Sequence, residues 1–110
     1  MQKARLSTTQ RKLRRLIEEA TIDCYDESEQ ANGLLTMIQE HLSCPVTARV
    51  VGEPVEVVNF DSGEGGMEIV ALCKRHGKTY KIGVASLEWD GKPPKGAEWI
   101  EAYSAWLKGT

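Results

Sequence analysis

Apolar positions follow two regimes along the chain, helical spacing first and alternation after. Leu13, Leu16, Ile17 and Ala20 recur at i, i+3, i+4 and i+7, which is one face of an amphipathic helix. Ser7 and Gln10 stand before them as a capping pair, so the spacing predicts a helix over about 8–22. Ala31, Leu34, Leu35, Ile38 and Leu42 form a second stripe, opened by Asp26 and Glu29 in a D-x-x-E start. Gly33 interrupts this stripe at a cost of about 1 kcal/mol relative to alanine, which argues that close packing requires it. Pro45 disfavours helix at the residue before it, so the second helix should end near His41–Ser43.

After Pro45 the period becomes two. The runs VTARVV (46–51), VEVVNF (55–60), MEIVALCK (67–74) and TYKIGVASL (79–87) are rich in β-branched residues and read as strands. Short glycine-bearing connections separate the first three from their successors, which predicts an antiparallel meander. Val46, Ala48 and Val50 would share one face, as would Met67, Ile69, Ala71 and Cys73, and Tyr80, Ile82 and Val84. After a loop at Trp89–Pro94, a last helix is expected over about 96–107. Its apolar face would hold Trp99, Ile100, Tyr103, Trp106 and Leu107, with Glu98, Glu101 and Lys108 turned away. The expected fold is a single α+β domain over residues 1–110. It has two N-terminal helices, a four-stranded antiparallel meander small enough for barrel-like closure, and a C-terminal helix.

Composition narrows the setting. The 110 residues lack any apolar run long enough to span a membrane, and the N-terminus has no signal-peptide core, so a cytoplasmic protein without a membrane partner is expected. Cys24, Cys44 and Cys73 are an odd number with no C-x-x-C pair, which predicts reduced thiols. Net charge is −2, unevenly spread. Residues 1–15 carry six basic side chains and no acid; residues 16–110 carry eight basic and sixteen acidic ones. The expectation is an acidic body with a flexible basic arm over residues 1–7.

Catalytic motifs are missing: there is no G-x-S-x-G, phosphate loop or H-E-x-x-H, so no enzyme is expected. His41, Cys44, Cys73 and His76 have zinc-like spacing, but Cys73 falls on a core face, where small thiols are common packing elements. Trp99, Tyr103 and Trp106 lie at helical spacing and read as core. The acidic body and the lack of a stacking motif argue against nucleic acid as a partner.

The carboxylates remain. FDSGEGG (60–66) places Asp61 and Glu64 among glycines, with Glu68 close behind. Glycines let carbonyls turn inward, and calcium takes six to eight oxygens from carboxylates, carbonyls and water. The EF-hand spacing is absent, since residue 72, where its last glutamate would fall, is leucine. Two further acidic groups exist: Asp23, Asp26, Glu27 and Glu29 at the start of the second helix, and Glu88 with Asp90 after the last strand.

Three segments carry a resemblance. Tyr25-Asp26-Glu27-Ser28-Glu29-Gln30 with Gly33-Leu34-Leu35 is one, and Pro45 through Val55 is the second. Trp99-Ile100-Glu101-Ala102-Tyr103 with Trp106 is the third. In this order, over about residues 22–107, they resemble the small prokaryotic calcium-binding family typified by cyanobacterial CcbP. The resemblance implies an intracellular, non-EF-hand protein that buffers Ca²⁺. Asp26, Glu27 and Glu29 match the family's acidic helix start. Asp61 and Glu64 are the expected side-chain ligands, with Glu88 and Asp90 next if the last strand ends beside the loop. The alternative is a metal-free protein-interaction module, in which the sheet face and basic arm hold a protein partner.

Overall fold

A computed structural model describes residues 7–109. Helices α1 (Thr8–Ala20) and α2 (Glu27–His41) lead into strands β1 (Val46–Val50), β2 (Glu53–Ser62), β3 (Ile69–Arg75) and β4 (Lys78–Gly83). A short 3-10 helix (Val84–Ser86) and α3 (Glu98–Leu107) complete the chain. The expected basic arm lies outside the described residues, apart from Ser7.

Both N-terminal helices begin with complete capping boxes, Ser7 with Gln10 and Asp26 with Glu29. Each satisfies donors that the first helical turn leaves unpaired. Gly33 of α2 lies against the end of α1, where an added Cβ would strike the Ala20 carbonyl oxygen. The close packing inferred at that glycine is therefore backbone against backbone.

The strands form one antiparallel sheet in the order β1-β2-β3-β4. Its inner face supplies Ala48, Val57, Phe60, Ile69, Ala71 and Cys73 to the core. Leu34, Ile38 and Leu42 of α2 meet them, as do Trp99, Ala102 and Tyr103 of α3. A register shift between Val57 and Asn59 lets both Val57 and Phe60 point inward despite their odd spacing. Helix α1 packs on α3 and α2 rather than on the sheet.

Several expected boundaries move. Strand β2 continues through Asp61 and Ser62, so the loop after it starts later than its glycines suggest. Met67 sits in that loop, 39% exposed, and not in the core. The expected last strand breaks at Gly83, and Val84 reaches the core from the 3-10 helix instead. Tyr80 is 46% exposed because β4 is an edge strand. Leu107 is largely exposed, and Ala102 is buried on the apolar face of α3 in its stead. The sheet stays open rather than closing as a barrel. Beyond β4 the chain crosses to the outer side of β1, where Arg49 and Glu88 exchange two backbone hydrogen bonds of 2.8 Å as an isolated bridge.

Candidate metal centre

Strands β2 and β3 are joined by residues 63–68, and the Gly63 N–H donates to the Glu68 carbonyl at 2.7 Å across the base of the loop. Gly65 and Gly66 have φ of 84° and 78°, a region that side chains with Cβ rarely enter. The loop is held from two sides. The Tyr103 hydroxyl of α3 donates to the Met67 carbonyl at 3.0 Å and accepts from the Ile69 N–H at 3.1 Å. Gly66 approaches the first turn of α2 so closely that an added Cβ would lie 3.2 Å from Ser28 Oγ.

Glu64 and Glu68 line one open pocket of about 410 Å³, together with Tyr103, Val84 and Leu107. Neither carboxylate takes an ion pair or hydrogen bond among the described residues. Burial pushes the Tyr103 phenol above its ordinary pKa; the Ile69 N–H opposes this, and the negative charge of Glu68 adds to it. Unpaired negative charge therefore stands beside the group that clamps the loop.

The other expected ligands lie in different settings. Asp61 belongs to β2, opposite Val70, and its carboxylate accepts from the Ser62 N–H at 2.8 Å. Strand alternation turns it to the face opposite buried Phe60. Asp26 accepts from the Glu29 N–H at 2.8 Å, and Glu29 returns bonds to Asp26 N–H at 3.3 Å and Tyr25 N–H at 3.2 Å. These two are occupied as helix caps, while Glu27 beside them is exposed. Glu88 and Asp90 are not beside the loop. They lie by the β1–β2 turn, which the register places at the opposite end of the sheet. There Asp90 pairs with Arg49 at 3.1 Å and Glu88 accepts from the Gly52 N–H at 3.4 Å.

The four zinc-spaced residues are also apart in role, Cys44 being a half-buried free thiol ahead of β1. His41 stacks on Trp99 at 5.3 Å, Cys73 is buried in β3, and His76 is in the β3–β4 turn. Among the described residues, no three His, Cys, Asp or Glu side chains are gathered to hold a metal ion. The sequence places Glu68 in the cluster with Asp61 and Glu64 but not among the expected ligands, and there Tyr103 reads only as core; its hydroxyl clamp on the loop is what the sequence does not show. The signal for Glu68 was its place at the end of a glycine pair that must fold back on itself.

What the β2–β3 loop offers is the carboxylates of Glu64 and Glu68 and backbone carbonyl oxygen, beside the thioether of Met67; the oxygens are donors of the kind that hard divalent cations take. The frame is α+β, and the EF-hand spacing is absent, since residue 72 is leucine. Residues 14–107 match the CcbP-type family, described as calcium binding, and the chain belongs to that family. The crystal structure of Anabaena CcbP has the same fold, with a TM-score of 0.74 at 17% identity over 97% of this chain and 95% of that one. A calcium binding protein in the calcium-binding form aligns with a TM-score of 0.72 at 17% identity, over 94% and 97%. Comparison with curated protein sequences returns no match.

Proposed function

We propose that this chain binds Ca²⁺ and buffers it by sequestration rather than by chemistry, with Glu64 and Glu68 supplying side-chain oxygens. The observation that carries the reading is the family match across residues 14–107, set beside two unpaired carboxylates in one glycine-rich loop. Carbonyls of the loop and water would complete the shell. Two like charges repel in water by about 1 kcal/mol at 4 Å, a cost that an exposed loop tolerates and a divalent ion reverses. Among the described residues no three ligating side chains are gathered beforehand, so binding would draw the loop together. An exposed loop with two carboxylates should be a weak site, in the range of roughly 10⁻⁴–10⁻³ M. Three free cysteines support a reducing, cytoplasmic location as part of this reading. No described helix is long and apolar enough to cross a membrane.

Isothermal titration of chelator-treated protein tests the assignment. Glu64→Gln with Glu68→Gln should weaken calcium binding at least tenfold, while Glu88→Gln with Asp90→Asn should leave it unchanged. Undiminished binding in the first variant would move the site to Asp61 or to the α2 start at Asp26, Glu27 and Glu29.

A further inference from the structure

Strand β4 is an open edge. Among the described residues it pairs only with β3, whereas the outer side of β1 is met by the Glu88 bridge. Lys78 through Lys81 are all exposed, so no other element among the described residues covers this edge.

The register states which groups are free. His76 and Gly77 form a two-residue turn, with φ of 52° and 75°, between the paired residues Arg75 and Lys78. Such a turn makes its flanking pair a hydrogen-bonded one, and antiparallel pairs then alternate. Tyr80 and Ile82 therefore bond to β3. Thr79 and Lys81 aim their N–H and C=O groups outward, where a further strand would accept them.

Charge and shape restrict that strand. Residues 69–87 contain no acid, and four of the eight basic side chains of residues 16–110 fall within 74–81. Arg75 is paired with Glu53 at 3.2 Å, but Lys78 and Lys81 have no acidic partner among the described residues. Alternation puts Lys81 on the outer face of the sheet and half-exposed Tyr80 with Ile82 on the inner one. A second copy of β4 would bring a second run of lysines without acidic partners to the same edge, which is unfavourable. An extended peptide alternating acidic and apolar residues would meet Lys81 on one face and Tyr80 with Ile82 on the other.

We infer that the free edge of β4 binds an extended acidic segment of another protein by strand addition, with the outward backbone groups of Thr79 and Lys81 as its hydrogen-bonding partners. The calcium reading rests on other residues: the loop carboxylates border only the Gly83 end of β4, while Thr79 and Lys81 lie toward the β3–β4 turn.

An acetylated six-residue peptide alternating glutamate and valine, titrated into the isotopically labelled full chain, provides the probe. At saturation, amide exchange of Thr79 and Lys81 should slow at least tenfold, with smaller changes at Tyr80 and Ile82. The corresponding lysine–valine peptide should not bind. Thr79→Pro removes one outward donor without touching the β3 ladder and should weaken the acidic peptide at least tenfold. Should that variant misfold, Lys78→Glu with Lys81→Glu serves in its place and should exchange the preference toward the lysine–valine peptide. Absence of saturable binding at millimolar peptide, equal binding of both peptides, or protection appearing elsewhere than β4 would overturn the inference. So would dimerisation of the free chain through this edge.

Discussion

At Glu68, one exposed carboxylate faces both a glycine loop and a buried phenol. Its carboxylate is close enough to Gly63 that a Cβ there would lie 2.5 Å from Oε1, and its charge is felt at Tyr103. Tyr103 in turn supplies the partner of the Ile69 N–H, where the backbone is buried. Tyr103→Phe should therefore cost about 1–3 kcal/mol, the penalty of leaving a buried donor unmade, as read by chemical denaturation. The same burial sets an alkaline limit. Tyr103 and Cys73 both have raised pKa values, chiefly through burial. The unfolded chain releases these protons first, so stability should be complete below the ordinary thiol value of about 8.5 and fall as pH rises past it and past about 10. A denaturation midpoint that stays level across that window would contradict the burial of both groups. Trp99, 4% exposed and stacked on His41, is the largest single packing commitment on α3. Trp99→Ala should cost about 3–5 kcal/mol, measured by the same denaturation.

Elements were the most legible level in the sequence, and the reasons are local. Capping pairs at Ser7–Gln10 and Asp26–Glu29 mark the helix starts because the side chains that signal them also make the bonds. Gly33 announced a close approach because its cost within a helix needs a compensating contact, and the Ala20 carbonyl is that contact. Gly33→Ala should therefore lower stability by about 1–3 kcal/mol rather than raise it as an ordinary helical Gly→Ala change would. The strand ends were less legible. Hydrogen bonding to β3 carries β2 through polar Asp61 and Ser62, and the 3-10 helix after Gly83 uses residues that would equally suit a strand. These shifts account for most of the difference at the candidate site. One extension turned Asp61 from a loop ligand into an outward strand residue, while Glu68 stayed at the loop's end. The position of Glu88 and Asp90 depended on a crossover that no short stretch of sequence encodes.

Over the whole molecule, the sheet separates two chemistries. Glu64 and Glu68 lie at the β2–β3 end, and Lys78 and Lys81 along β4 toward the other. Calcium bound only by the folded chain should stabilise it in proportion to occupancy. At 10 mM Ca²⁺ and a dissociation constant of roughly 10⁻⁴–10⁻³ M, the gain should be about 1.4–2.7 kcal/mol, seen as a rise in Tm that magnesium-free chelator reverses. A Tm indifferent to calcium would count against a folded-state site. The clamp on the loop has one more consequence. Trp106 stacks on Tyr103 with ring centroids 6.1 Å apart, and its indole N–H donates to Gln30 Oε1 at 2.9 Å. This indole thus joins the helix against which Gly66 packs to the phenol that fixes the loop's return. In optical terms the chain carries a built-in gauge: loop ordering should alter the emission of Trp106, and Trp106→Phe should silence that signal while the heat of calcium binding persists.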